Sequence, residues 1–219
     1  MYSFYNSYIE KENAYFRTLQ SAIPTGSDNL PEGLNDSLDW LCMGAKSILD
    51  FGCGGGGLLF CCSLRGVKEL TGIDLAEDGI KYARECSSYL SNVKNSFIHG
   101  SVDKLYTLPD AHFDGLILSN ILDNLRPEDA TAALTECVRS LKTGGRALIK
   151  LNPYLTSDKI EEWNIRILDG DLLDDGMLLW NQPDDIWLNR LKRYFSYVHQ
   201  EDVYFEQYDQ HNRLFRCVK

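Results

Sequence analysis

The stretch that decides the fold is ILDFGCGGGG, residues 48–57. Its apolar beginning predicts a buried strand that leads directly into glycines. Because glycine has no Cβ, the backbone there can turn with positive φ and approach a ligand closely. The helix expected after the glycines would offer free N–H groups and a positive dipole end to an anionic group. The stretch therefore predicts a strand–loop–helix ligand site.

Asp50 narrows the chemistry of that ligand. Gly52, Gly54 and Gly57 also satisfy the G-x-G-x-x-G pattern of dinucleotide-binding loops. A carboxylate directly before the glycines would repel a pyrophosphate, whereas it would suit a ligand that carries an ammonium and a sulfonium. A glycine-rich turn without a ligand is the structural alternative.

A second acid follows the next predicted strand. Gly72-Ile73-Asp74-Leu75 ends that strand, and Asp74 lies about twenty residues beyond the glycine loop, the separation at which an acid can accept both hydroxyls of a ribose. The alternative is a carboxylate that caps the following helix.

Outward from these motifs, predicted strands alternate with predicted helices. The strands are expected at 47–51, 69–75, 93–100, 113–120 and 146–152, and the helices at 58–65, 77–90 and 127–141. Such alternation predicts a mostly parallel sheet with ligands at its C-terminal edge. Beyond it we expect strands at 162–170 and 176–182, a helix over 184–195 and an antiparallel pair at 197–207 and 213–219, with His211 in the turn between them. An amphipathic helix is expected at 3–20, followed by a loop at 23–33.

These elements indicate an α/β fold: a Rossmann-like three-layer sandwich whose seven-stranded sheet ends in an antiparallel C-terminal strand pair. We expect a single domain over 1–219. It would consist of an N-terminal helical cap (1–45), a ligand-binding core (46–152), an insertion after strand five (153–187) and a terminal segment (188–219).

Composition restricts the partners. The formal net charge is −10, and such a surface disfavours nucleic acid, whose affinity comes largely from lysine and arginine. The seven cysteines form no C-x-x-C pair, so no metal is expected, and free thiols favour a cytoplasmic location. We expect no signal peptide and no membrane span.

Five segments in order, ILDFGCGGGG, GIDLAEDGIKYA, FIHGSVDKL, FDGLILSNILDNL and LKTGGRALIKL, resemble the class I methyltransferase family over about residues 46–152. The resemblance implies S-adenosyl-L-methionine as cofactor and methyl transfer to a small-molecule acceptor with an N or O nucleophile. By the same resemblance, the residues implied to bind the cofactor are Asp50, Gly52, Gly54 and Gly56 (methionine part), Asp74 and Leu75 (ribose), Ser101, Val102 and Asp103 (adenine), and Ser119 near the methyl group. Ser101 departs from the aspartate that family members often have after Gly100.

The resemblance leaves the catalytic residues open. Asn120 could orient the acceptor or be a simple turn residue, and His199 is the one histidine to test as a general base. The segment after strand four lacks the Pro-Pro motif of amino-methylating DNA enzymes and the Pro-Cys of the covalent cytosine route. We interpret Asp123-Asn124 as a helix or turn surface.

The acceptor pocket should come from the variable regions. Aromatic residues at the N-terminus and in the insertion could form a lid, or pack ordinarily: Tyr5, Tyr8, Tyr15, Phe16, Tyr154, Trp163, Trp180 and Trp187. Arg17 could pair with an acid on cofactor or substrate. Dense acidic turns, such as Asp174-Asp175, favour a neutral or cationic acceptor. The alternatives are a non-catalytic S-adenosylmethionine-binding module and a nicotinamide-dependent oxidoreductase.

Overall fold

The computed structural model describes residues 5–22 and 30–219. The first four residues, and residues 23–29 of the loop predicted at 23–33, lie outside the described residues.

Strands and helices alternate through the core as predicted. The strands, in chain order, are β1 (Ser47–Phe51), β2 (Glu69–Asp74), β3 (Lys94–His99), β4 (Phe113–Ser119), β5 (Leu141–Leu151), β6 (Arg166–Asp169), β7 (Leu172–Asp174), β8 (Leu178–Trp180), β9 (Tyr197–Phe205) and β10 (Gln210–Val218). The helices are α1 (Asn6–Thr18), α2 (Glu32–Cys42), α3 (Gly57–Leu64), α4 (Glu77–Ser87), α5 (Val102–Leu105), α6 (Pro127–Ser140), α7 (Ser157–Glu162) and α8 (Asp184–Leu191).

The central sheet has seven strands in the order β3-β2-β1-β4-β5-β10-β9. β1 to β5 are parallel, and β10 runs antiparallel to both β5 and β9. This is the predicted mixed sheet with an antiparallel C-terminal pair. The chain leaves β1 toward β2 and β3, and then returns to the other side of β1 with β4. The crevice for a ligand in such a sheet lies at this reversal, beyond the carboxyl ends of β1 and β4.

Helices cover both faces of the sheet, which explains the apolar strands. All five residues of β1 are buried. One face packs against α2, α3 and α4, and the other against α6 and α8. Strands buried on both faces read as continuous apolar runs, and the predicted three-layer arrangement is confirmed.

The insertion after β5 differs from the prediction of two strands. It contains α7 and a separate three-stranded antiparallel sheet in the order β6-β7-β8. Tight turns at Gly170 and Gly176, both with positive φ, allow the chain to reverse twice within a few residues. The acidic segment between the two expected strands was predicted as a turn, but it contains the third strand, β7.

Two further boundaries were wrong. β5 begins at Leu141 rather than at residue 146, with Gly144 at φ 74° and a register irregularity against β4. Gly144 and Gly145 therefore lie within an irregular first part of this strand. His211, expected in a turn, lies in β10 and pairs with Tyr204 of β9.

Candidate functional site

A cavity of about 350 Å³ lies at the carboxyl ends of β1 and β4. Six of the predicted cofactor-binding and catalytic candidates line it: Gly52, Gly54, Asp74, Leu75, Ser101 and Asn120. The remaining lining residues are Tyr5, Tyr8, Ile9, Glu12, Phe51, Ile73, Ala76, Gly100, Ile121, Asn124, Leu125, Asn152 and Met177. The cavity thus combines the two sequence motifs with α1, with the segments after β3, β4 and β5, and with the insertion.

The glycine loop turns sharply above β2. The backbone N–H of Gly52 donates to the carbonyl of Ile73 at 2.8 Å. Gly52 has φ +80°, and a Cβ at that position would lie 2.8 Å from the side chain of Ile121. Glycine is required here both for the positive φ and for the close approach of the segment after β4.

Asp74 holds the glycine loop in place. Its Oδ2 accepts from the N–H of Gly54 at 2.8 Å, and its Oδ1 accepts from the N–H of Ala76 at 2.7 Å. Burial raises the pKa of Asp74, and these N–H donors partly oppose that rise. Each carboxylate oxygen can accept a second hydrogen bond, so the side chain keeps the capacity to bind hydroxyl groups of a ligand.

Asp50 lies beneath the loop and is 2% exposed. Within the described residues, no donor reaches its buried Oδ1. Burial, with the negative charge of Asp74 as a second cause, raises the pKa of Asp50 well above its usual range. A buried carboxylate without a partner is costly. The site would therefore gain from a ligand that brings positive charge close to Asp50.

Glu12 of α1 brings a further carboxylate to the cavity, one that the sequence analysis did not single out. Burial raises its pKa, and the charge of Asp74 adds to the rise. Among the described lining residues there are two carboxylates and no lysine, arginine or histidine. The signal was present in the sequence, because Tyr5, Tyr8, Ile9 and Glu12 follow the helical spacing of three, four and seven.

α1 covers the cavity although none of its thirteen residues is buried. At its C-terminal end, Phe16 packs in a depression between glycines: a Cβ at Gly55 would lie 2.8 Å from the Phe16 ring, and one at Gly79 would lie 2.9 Å from it. Asn13 Oδ1 accepts from the N–H of Asp78 at 2.9 Å. This end of α1 is thereby docked on α4.

The N-terminal end of the cover is attached to α6 and its middle to the insertion. The hydroxyl of Tyr5 donates to Asp129 Oδ2 at 2.6 Å and accepts from the N–H of Arg126 at 3.0 Å. Lys11 Nζ donates to the carbonyl of Gly176 at 2.8 Å. Arg17 does not face the cavity as expected, because its guanidinium pairs with Glu10 and Asp78 on the outside.

The aromatic residues of the insertion do not line the cavity. Trp180 and Trp187 are buried and pack edge to face, with the guanidinium of Arg190 3.9 Å from the Trp180 ring centroid. Tyr154 and Trp163 are exposed, as is Tyr15 of α1. Burial of large apolar surface in the core determines the position of the two tryptophans, and Met177 is the insertion residue that reaches the cavity.

The loop after β3 contributes only part of its predicted set. Gly100 and Ser101 line the cavity. The N–H of Ser101 donates to Asp103 Oδ1 at 3.0 Å, so Asp103 caps its own loop. Val102 is buried in the core. Neither Val102 nor Asp103 is part of the described lining.

Of four further predicted residues, one lines the cavity and three lie outside its described lining. Asn120 lines the cavity with φ +51°, and its Oδ1 accepts from Asn212 Nδ2 at 3.4 Å. Gly56 supports the loop from behind, since a Cβ there would lie 3.0 Å from Phe60 and Phe97. Ser119 lies outside the lining. His199 is exposed on β9, an edge strand, away from the cavity.

The interpretation of Asp123 as part of a helix or turn surface was wrong. Instead of lying on a surface, Asp123 is fully buried, because the turn after β4 folds under the end of β5. Its Oδ2 accepts from the N–H of Asn152 at 2.6 Å and from Asn152 Nδ2 at 3.1 Å. Burial raises the pKa of Asp123 to about 6.

The described ranges, residues 5–22 and 30–219, lack two kinds of feature. No cluster of three or more histidine, cysteine, aspartate or glutamate side chains there could hold a metal ion. No helix in these ranges has the length and apolar character needed to cross a membrane.

Residues 49–149 match the sequence model of a family described as methyltransferase domain. The ubiquinone biosynthesis O-methyltransferase of Idiomarina loihiensis is 33% identical over 101 residues, which are 46% of this chain and 40% of that protein. The chain spans about half or less of the length of the curated relatives it matches.

Solved structures share the fold over nearly the whole chain. The N-methyltransferase NodS of Bradyrhizobium japonicum, in complex with S-adenosyl-L-homocysteine, aligns with a TM-score of 0.67 and 17% identity over 98% of each chain. The [4+2]-cyclase SpnF aligns with a TM-score of 0.69 and 17% identity over 99% of this chain and 93% of that one. Likeness at this identity shows the fold, and the reaction has to be argued from the site. Residues 49–149 therefore resemble the methyltransferase-domain family, and the fold built around them is shared with a solved N-methyltransferase.

Proposed function

We propose that this protein transfers the methyl group of S-adenosyl-L-methionine to an N or O nucleophile of a small-molecule acceptor. The observation that carries the proposal is the buried carboxylate of Asp50, whose Oδ1 has no donor within the described residues. A ligand with an ammonium and a sulfonium supplies the positive charge that this position lacks. The proposal is supported by the family match over residues 49–149.

The same carboxylates argue against a nicotinamide cofactor. A pyrophosphate bound at the glycine loop would bring negative charge to a cavity that already contains Glu12 and Asp74 and has no basic side chain in its described lining. The negative charges of the pyrophosphate and of these carboxylates would repel each other within one cavity, and more strongly where water is excluded. The cavity therefore suits the cation-bearing cofactor better.

The residues have separate roles in this proposal. Gly52 and Gly54 let the backbone approach the methionine part, Asp50 offsets its positive charge, and Asp74 accepts hydrogen bonds from the ribose. Gly100 and Ser101 border the adenine. When bound, the cofactor supplies an already activated methyl group, so the protein mainly has to orient the acceptor and exclude water.

α1 and the tip of the insertion act as the cover in this proposal. Tyr5, Tyr8 and Met177 of these segments line the cavity, and the acceptor is proposed to lie beside them. Asn120, at the end of β4, faces the same space and is proposed to orient the acceptor. His199 has no part in the mechanism, because it lies on the exposed edge of the sheet.

We also propose a cytoplasmic protein that does not act on nucleic acid. The seven cysteines are buried and unpaired, which suits a reducing compartment. The net charge of −10 opposes binding to a phosphate backbone.

The test has two stages. Calorimetry first compares S-adenosylhomocysteine with reduced nicotinamide adenine dinucleotide, and we expect binding of the first ligand only. Mass spectrometry then follows conversion of S-adenosylmethionine to S-adenosylhomocysteine with a panel of amines and hydroxyl compounds. Binding without turnover on any acceptor would support the non-catalytic module instead, and binding of the nicotinamide alone would support the oxidoreductase.

A further inference from the structure

Besides Asn120, two further asparagines, Asn124 and Asn152, line the cavity on the β4–β5 side, while the glycine loop lies on the β1–β2 side. Asn152 is the first residue after β5. Asn124 ends the 3-10 turn Leu122–Asn124 that follows β4. In the cofactor arrangement proposed above, this side of the cavity is left for the acceptor.

Asn152 is held by contacts from three residues. Its N–H and Nδ2 both donate to Asp123 Oδ2, and Nδ2 also donates to Asn124 Oδ1 at 3.2 Å. Its carbonyl accepts from Arg213 Nε at 2.8 Å. The carboxamide of Asn152 is thus fixed in one orientation, with Oδ1 as its remaining polar atom.

The residues that hold Asn152 are themselves unusual. Asp123 is fully buried, and Arg213 is 3% exposed. Burying two charged groups is costly, and hydrophobic side chains of similar volume are often as stable or more so. A simple turn needs neither charge, whereas rigidly supported first contacts to a ligand typically need such support.

The pair presents one acceptor and one donor toward the cavity. Within the described residues, no donor reaches Asn152 Oδ1. Asn124 Nδ2 donates one hydrogen to the carbonyl of Leu178 at 2.5 Å, and its second hydrogen has no partner there. Around these polar atoms lie apolar surfaces of Tyr8, Leu125 and Met177.

We propose that Asn124 and Asn152 recognise the methyl acceptor, and that the acceptor is an uncharged or cationic, amphipathic small molecule carrying hydroxyl or amine groups on an apolar ring. This inference rests on the proposed function. The ring packs against the apolar surfaces, while a hydroxyl or amine group donates to Asn152 Oδ1 and accepts from Asn124 Nδ2. An anionic acceptor is rejected, because the cavity already contains Glu12 and Asp74 and no described basic residue.

The test uses the full chain saturated with S-adenosylhomocysteine, and calorimetry with catechol, tyramine and benzoate as probes. Catechol and tyramine are expected to bind at least about tenfold more tightly than benzoate. Asn152→Leu keeps the volume and the backbone contact to Asp123 but removes the carboxamide, so it should weaken catechol binding by about tenfold, as for one or two lost hydrogen bonds. Its affinity for S-adenosylhomocysteine should stay within about twofold of the wild type, as expected for a residue outside the cofactor contacts.

Two further variants separate recognition from folding. Asn124→Ala leaves Asp123 and its contacts to the Asn152 backbone in place, and it should also weaken catechol binding. Asn95→Leu, a half-buried position on β3 outside the cavity, is the matched control and should bind both ligands as the wild type does.

The inference is overturned if Asn152→Leu and Asn124→Ala bind catechol like the wild type, if benzoate binds as tightly as catechol, or if neither catechol nor tyramine binds the saturated protein. Absence of S-adenosylhomocysteine binding by the wild type is a different result: it contradicts the proposed function itself.

Discussion

Asp74 Oδ2 accepts a hydrogen bond from the backbone N–H of Gly54 at 2.8 Å. The acid after β2 and the glycine loop after β1 are therefore one unit within the protein. A ligand that binds both meets a site whose shape is already set, which lowers the cost of ordering on binding.

Asp74→Ala should remove this unit and weaken S-adenosylhomocysteine binding by more than about tenfold, since hydrogen bonds to a charged group and the shape of the loop are lost together. Calorimetry measures the change. Asp103→Ala is the matched comparison, because Asp103 follows the neighbouring strand but turns toward Ser101. Equal losses in the two variants would contradict the distinct roles given to them here.

Asp50→Asn should make the free protein more stable near neutral pH. Burial raises the pKa of Asp50, so folding at that pH must either bury the ionised carboxylate or protonate it, and the amide avoids this cost. The same change should weaken binding of S-adenosylmethionine by about tenfold, in the range of a lost charge-assisted interaction. Denaturant unfolding and calorimetry measure the two effects. A variant that is more stable and binds with unchanged affinity would show that Asp50 does not act on the cofactor.

Ligand binding should release protons. Burial and the charge of their common neighbour Asp74 raise the pKa of both Asp50 and Glu12 in the free protein. A cationic ligand favours the ionised carboxylates, so affinity should increase as pH rises through the raised pKa values, and protons should be released. Calorimetry in buffers of different ionisation enthalpy counts these protons. Proton uptake instead of release would contradict the sign.

Gly55→Ala should loosen α1. The added methyl would lie 2.8 Å from the Phe16 ring and 2.9 Å from Tyr82, and overpacking of this kind costs about 1–3 kcal/mol. Hydrogen exchange over residues 6–18 should become faster. Gly57→Ala is the matched control, because no atom lies within 4 Å of a Cβ at that position. Identical exchange in both variants would mean that Phe16 does not hold the helix.

Asp123→Asn tests whether the buried carboxyl that holds Asn152 makes the stability of the protein depend on pH. The pKa of Asp123 is raised to about 6, so the wild type loses stability as pH rises from about 4 through about 6. Relative to the wild type, Asp123→Asn should gain about 3 kcal/mol between about pH 4 and pH 7. Urea unfolding at the two pH values measures this difference, and a constant difference would show that Asp123 is not titrating in that range.

The sequence predicted the part of the site that depends on local chain geometry. The glycine loop and Asp74 each lie at the end of a strand, so the order of strands and helices was enough to bring them together. Gly100, Ser101 and Asn120 were implied by the resemblance, and they line the cavity because parallel strands end at a common edge.

Contacts between distant segments were not predictable in this way. Lys11 meets Gly176 across 165 positions, and no local pattern specifies that pairing. Asp123 was assigned to a helix or turn surface, whereas its buried position depends on its partner Asn152, which follows β5 in a distant part of the sequence. Trp180 and Trp187 appeared suited to a cover, but burying their area in the core is more favourable.

The attachment of α1 at both ends has a kinetic consequence. Tyr5 holds one end on α6 and Phe16 holds the other on α4, so we expect a ligand under the helix to leave faster when either end is detached. In the proposed reaction, we expect helix undocking to limit how fast the product leaves, so that each turnover would contain an opening step that is independent of the acceptor. Acceptors of very different reactivity would share the same upper limit on kcat.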